Sequence, residues 1–253
     1  MINIKSKSEI EKMKASGKIV AEVLLELEKN IFPGISIKEL DRIATNYIIR
    51  SGAFPSFLGV PNAYGGKKFP GAICASVNGE IIHGIPDSRR LKEGDIISVD
   101  VGAFYNGFHG DAARTFPVGK VSEEASKLIE VTKQSFFEGL KFVRPNNRIS
   151  DISGAIQDYV ESFGYSIVKE YTGHGIGRNL HEEPEIPNYR TNRRGHRLAA
   201  GMAIAIEPMV NQGTDEIRLG SNKWTVFTKD GKLSAHYENT VIVTDDEPLI
   251  VTL

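Results

Sequence analysis

The sequence predicts an α+β fold built from two related halves that face each other across a pseudo-twofold axis. Three observations point to it. Amphipathic helix pairs occur twice, the chain aligns with itself in consistent order, and each half contains an apolar strand that ends in a carboxylate. Ser6 and Ser8, followed by Glu9 and Glu11, are capping-box signals. Ile10, Met13, Val20, Leu24 and Leu27 then recur at helical spacing, so the first helix is expected over 8–30. A second opens at Ser36 with Glu39 as its capping partner and stops near Gly52. After a turn-rich middle region, helical patterns return at about 122–143 and 149–163.

A shift of 112 positions pairs Pro33 with Pro145, Ile37 with Ile149, Leu40 with Ile152, Ile48 with Val160 and Gly52 with Gly164. A shift of 107 matches Leu91 and Gly94 with Leu198 and Gly201, and overlays Ile96–Asp100 on Ala203–Glu207. A shift of 127 sets His109-Gly110-Asp111 against His236-Tyr237-Glu238. The ordered matches predict one domain, residues 1–253, with halves of about 1–120 and 121–253. A cleft shared by two such halves is a usual place for a site.

Composition narrows the function. With 31 Lys and Arg against 32 Asp and Glu, the net charge is -1, which argues against nucleic acid as the main partner. The single cysteine, Cys74, excludes an internal disulfide framework and a cysteine-built zinc site. No apolar run approaches the roughly 18 residues of a membrane span, and the start Met1-Ile2-Asn3-Ile4-Lys5 lacks the apolar core of a signal peptide. A cytoplasmic protein with no membrane partner is expected.

The strand 96–101 alternates like a half-buried strand, and Asn106-Gly107 is a two-residue hairpin signal. That turn pairs Tyr105 with Phe108, Phe104 with His109 and Gly102 with Asp111, which puts Asp111 diagonal to Asp100 on one face, with His109 beside them. In the second half Ile204-Ala205-Ile206 ends in Glu207 and Pro208, while Asp230-Gly231 signals another hairpin whose returning strand carries His236 and Glu238 on one face. Four carboxylates gathered this way would repel and protonate unless cations neutralise them. His174, between the glycines of Gly173-His174-Gly175-Ile176-Gly177, offers an uncovered imidazole to the same centre. Four carboxylates with one neutral imidazole suit two divalent cations, and a donor set of oxygen with one nitrogen fits Mn, Fe, Co or Zn.

These residues, with Cys74-Ala75-Ser76-Val77-Asn78, His83-Gly84-Ile85-Pro86, His181-Glu182-Glu183-Pro184, Ile206-Glu207-Pro208-Met209 and Tyr237-Glu238-Asn239-Thr240, resemble the type I methionine aminopeptidases, in the short bacterial form without a zinc-binding extension. The resemblance covers essentially the whole chain. It implies the pita-bread fold, two pseudo-twofold halves around a curved, mostly antiparallel sheet. It also implies removal of the initiator methionine from nascent polypeptides whose second residue is small. By motif, Asp100, Asp111, His174, Glu207 and Glu238 resemble the metal ligands, with Asp111 and Glu238 shared by both metals and Glu207 also acting as the general base on a shared water. His83 and His181 match two histidines that contact substrate, His181 at the oxyanion and His83 near the scissile nitrogen.

For the methionine pocket the resemblance points to Phe57, Tyr64, Phe69, Cys74, Leu180 and Trp224, with either Tyr64 or Phe69 closing it. The nearest alternative is a dimetal Xaa-Pro aminopeptidase or prolidase of the same fold, and a more distant one is a non-catalytic pita-bread protein that binds peptides. The basic run Arg190, Arg193, Arg194, His196 and Arg197 allows a transient ribosome contact, although a solvated loop is the plainer reading. No sequence-specific nucleic-acid partner is expected, and a monomer is.

Overall fold

In a computed structural model, residues 2–63 and 65–253 are described. The first half runs α1 (Lys7–Asn30), α2 (Ile37–Arg50), β1 (Phe54–Pro55), β2 (Ile73–Val77), β3 (Glu80–Ile82), β4 (Ile96–Tyr105) and β5 (Phe108–Pro117). The second runs α3 (Glu123–Leu140), α4 (Ile149–Ser162), β6 (Ser166–Ile167), β7 (Gly173–Gly175), β8 (Glu182–Ile186), β9 (Ala203–Ile206) and β10 (Met209–Asn211). It ends with β11 (Ile217–Leu219), β12 (Val226–Thr228), β13 (Ser234–His236), β14 (Asn239–Ile242) and β15 (Leu249–Ile250).

The four helices stand where capping and periodicity put them. Ser6 and Glu9 form a reciprocal capping box at the start of α1, while Ser36 and Ser122 cap α2 and α3 by accepting from the N–H three residues on. Each pair covers its own sheet. Val20, Val23, Leu27, Leu40 and Ile48 pack on Ile73, Val99, Val101 and Ala112, and Leu128, Phe136, Ile152 and Val160 pack on Ile204, Ile206 and Val241. Among the described residues, no helix is long and apolar enough to cross a membrane.

β4 and β5 form the antiparallel hairpin in the expected register, with Gly102 opposite Asp111, and Asn106 and Gly107 take φ of 51° and 84° as a type I′ turn requires. The second expected hairpin is a correction. β12 pairs with β3 and β11, whereas β13 pairs with β10, so Asp230-Gly231 turns the chain between two different sheets. The returning segment is likewise not one strand: it leaves the β13–β10 sheet at His236 and joins β9 from Asn239 onward, with Glu238 at the crossover.

α1 approaches β5 closely at two glycines. A Cβ on Gly110 would lie 2.8 Å from the Gly17 nitrogen and 2.9 Å from its Cα. Gly110→Ala should therefore cost about 2 kcal/mol by overpacking and lower Tm by about 4–8 °C, read by thermal melting. An unchanged Tm would show that the helix can back away freely.

Candidate metal centre and adjoining pocket

The side chains at the centre come from both halves because the halves are stitched along β5. The Asp111 N–H donates to Thr240 Oγ1 at 3.0 Å, and that hydroxyl donates back to the Asp111 carbonyl at 2.9 Å. Ala113 exchanges backbone hydrogen bonds with Glu238 (2.9 and 3.3 Å), and Thr115 Oγ1 accepts from the His236 N–H at 2.8 Å while donating to its carbonyl at 2.9 Å. Arg114 completes the seam by donating to the Glu238 carbonyl at 2.5 Å and to Asn239 Oδ1 at 2.7 Å. Asp111 and Glu238 thus face each other across the seam. Asp100, one diagonal step away on β4, reaches the Asp111 carboxyl directly.

Glu207 follows the last residue of β9, and Pro208 turns the chain out of the strand there. His174 lies on β7 opposite Ala205 of β9. Its Nδ1 is 2.8 Å from the Gly175 carbonyl, which can only accept, so Nδ1 carries the proton and Nε2 keeps its lone pair. Nε2 points at Glu207 Oε1 (3.6 Å) and Asp111 Oδ2 (4.0 Å).

One ligand atom from each of Asp111, His174 and Glu238 falls within 4.8 Å of the others. Asp111 Oδ1, Glu238 Oε1 and Asp100 Oδ1 are buried without a hydrogen-bond partner among the described residues. Burial, then mutual repulsion, holds the Asp111, Glu207 and Glu238 carboxyls well above the usual carboxylate range, and burial lifts Asp100 to about 7. Burial also drops His174 to about 3, so its imidazole is neutral. Orphaned carboxylate oxygens facing a neutral imidazole lone pair are the donor set a divalent cation satisfies.

The sign of the pH response follows. Asp100 titrates at about 7 in the folded chain against an ordinary 3.8, so between those values the folded state holds a proton that the unfolded state releases. Stability of metal-free protein should then fall as pH rises from about 4 to about 7, and a divalent ion that displaces those protons should remove the fall. Melts in chelator and in manganese across this window check it, and a Tm that climbs with pH in chelator would contradict it.

An apolar cluster adjoins the carboxylates. Phe57, Phe69 and Cys74 form its buried part, against which Leu180, Trp224, Val60 and Ile85 pack. Cys74 sits directly opposite Asp100 in the β2–β4 pairing, so cluster and carboxylates are one strand apart. Phe69 meets Trp224 edge-to-face with centroids 5.1 Å apart, and Trp224 Nε1 donates to the Lys67 carbonyl at 3.0 Å. Tyr64 lies outside the described residues.

His83 stands beside this cluster, 6.3 Å from Trp224 and 5.6 Å from Tyr171 between ring centroids. Its φ of 57° is uncommon for a residue with a Cβ, and burial lowers its pKa to about 4. His181 is solvent-exposed and sets its ring edge-on to His174 with centroids 4.4 Å apart.

Two residues beyond the expected set belong to this centre. Buried His236 places Nε2, unpartnered among the described residues, 3.8 Å from Glu207 Oε2. Its place two residues before Glu238, on the same expected strand face, was the available signal. Fully buried Asn188 donates from Nδ2 to the Glu207 carbonyl at 3.1 Å, and nothing in Pro187-Asn188-Tyr189 marks it in advance.

The sequence pattern of metallopeptidase family M24 matches residues 11–245. The chain belongs to metallopeptidase family M24. The methionine aminopeptidase of Clostridium acetobutylicum is 56% identical over 100% of this chain and 99% of its own. Methionine aminopeptidase 1 of Bacillus subtilis is 51% identical over 97% of this chain and 96% of its own. Among solved structures, methionine aminopeptidase from Rickettsia prowazekii superposes with a TM-score of 0.95 at 40% identity, covering 100% of both chains. Membership of M24 implies use of divalent metal, Asp111, His174 and Glu238 form a group able to hold an ion, and the neighbouring structures carry the same pita-bread fold.

Proposed function

We propose that the protein is a metal-dependent aminopeptidase that removes N-terminal methionine from polypeptides whose second residue is small. The observation that carries this reading is the pairing of Cys74 with Asp100, which sets an apolar cluster one strand from a group of buried, unsatisfied carboxylates. Two cations of the Mn, Fe, Co or Zn type would be held by Asp100, Asp111, His174, Glu207 and Glu238, with Asp111 and Glu238 common to both. When bound, they supply a water of lowered pKa and polarise the scissile carbonyl.

The remaining chemistry falls to side chains. Phe57, Phe69, Cys74, Leu180 and Trp224 take the methionine side chain and so place the scissile bond. The Glu207 carboxylate accepts the proton of the attacking water, Asn188 holds the Glu207 backbone carbonyl, and the His236 imidazole stands 3.8 Å from the carboxylate. His181 hydrogen-bonds the oxyanion as it develops, and His83 stands near the nitrogen that leaves.

Both halves contribute these groups, which supports a single catalytic unit over 1–253. In the basic run, Arg190 is paired with Asp158, Arg194 lies 3.8 Å from Asp151 and Arg197 Nη1 donates to the Asn146 carbonyl at 3.1 Å, which leaves Arg193 and His196 for any transient contact with the ribosome in the cytoplasm.

The test is release of methionine from Met-Ala-Ser with added manganese, repeated with excess chelator. Metal-dependent release is expected, at least about 10-fold faster than from Met-Phe-Ser because the rim excludes a large second side chain. Cleavage of Ala-Pro-Ala in preference to Met-Ala-Ser would favour a proline-specific peptidase, and full activity in chelator would end the reading.

A further inference from the structure

His181 sits at the end of an exposed turn, and what fixes that turn reaches in from the other end of the chain. Lys5 Nζ lies 2.7 Å from Glu182 Oε2, with both side chains only 5% exposed. The Lys5 N–H donates to the Gly201 carbonyl at 2.8 Å and Ile4 bridges Met202, so the arm is anchored before its side chain extends. Glu182 Oε1 accepts from the Asn179 N–H at 3.2 Å, and the Gly177 N–H donates to the Asn179 carbonyl at 3.1 Å. The Gly177 carbonyl in turn accepts from the His109 N–H at 2.8 Å, two residues before Asp111.

A side chain at Gly177 would have to displace the Lys5–Glu182 pair. A Cβ there would stand 2.6 Å from Lys5 Cε and 2.8 Å from Glu182 Oε1, so the last glycine of the Gly173–Gly177 run makes room for the ion pair. Arg178 ties the outer side of the same turn to Glu9 on α1 at 3.0 Å. A buried ion pair is a poor device for stability alone, because desolvating both charges offsets most of their attraction. Here it holds a turn whose next residue is His181.

We propose that Lys5 is a positioning residue for His181, acting through Glu182 to set the 177–182 turn and so the place of the imidazole beside His174. The inference rests on the role given to His181 above. Lys5 touches neither substrate nor the metal-binding side chains.

The test is a double-mutant cycle of wild type, Lys5→Met, His181→Ala and the double variant. All four are loaded with manganese and assayed on Met-Ala-Ser, with metal per chain measured alongside. Lys5→Met should lower kcat about 10-fold with KM nearly unchanged, as for a displaced catalytic group. Its metal content should equal that of wild type. In the His181→Ala background the same change should cost less than about twofold, because the group it positions is gone.

Equal losses of kcat in both backgrounds, or a loss that tracks metal content, overturn the proposal. If Lys5→Met does not fold, Glu182→Gln takes its place in the cycle, since it removes the charge and keeps an acceptor for the Asn179 N–H. A wild type inert toward Met-Ala-Ser would overturn the functional reading itself. An active wild type with additive losses overturns only the role of Lys5.

Discussion

Asp111→Asn should leave the purified protein unable to retain either tightly held metal and should lower turnover of Met-Ala-Ser by at least about 10³. Asp111 is the hub of the centre: it reaches Asp100 on one side, His174 on the other, and shares the three-donor group with Glu238. An amide there keeps the size but loses the charge and one acceptor, and both cations in the proposed arrangement depend on it. The backbone contacts to Thr240 do not involve the side chain, so the seam between the halves should survive. Elemental analysis with a circular dichroism check of folding decides the matter. Two tightly retained ions in the variant would refute shared ligation, whatever the activity.

His181→Ala should separate chemistry from metal binding. Its ring stands against His174, and in the proposed mechanism its loss removes one hydrogen-bond donor to the developing oxyanion. Removing such a donor costs kcat about 10²–10³, with metal per chain unchanged and KM little affected. A parallel loss of metal would make His181 part of the cation cage. A loss confined to KM would make it a substrate-binding group only.

Much of this centre was readable in the sequence because local rules fix it. Capping residues and apolar spacing placed α1 at 8–30, against Lys7–Asn30 in the structure. The type I′ requirement at Asn106-Gly107 set the register that puts Asp111 diagonal to Asp100. Failure came where pairing depends on distant partners. At Asp230-Gly231 the turn chemistry is right, but β12 and β13 join different sheets because β3 and β10 offer their edges. Asn188 was invisible for the same reason: its task is to hold the Glu207 carbonyl 19 positions away, and no local pattern records that. His236 lay on the expected face, yet its proximity to Glu207 depends on how two sheets meet.

The seam between Asp111 and Thr240 closes a loop of 129 residues. Contacts this distant in the chain form late, because loop closure must precede their reward. During synthesis the first half brings Asp100 and Asp111 together on one hairpin, diagonal to each other, before Glu238 can stand across from them. Only when β14 has left the ribosome and docked on β5 can the cage close. A chain that stops before β14 therefore lacks the Thr240 seam and cannot complete the cage.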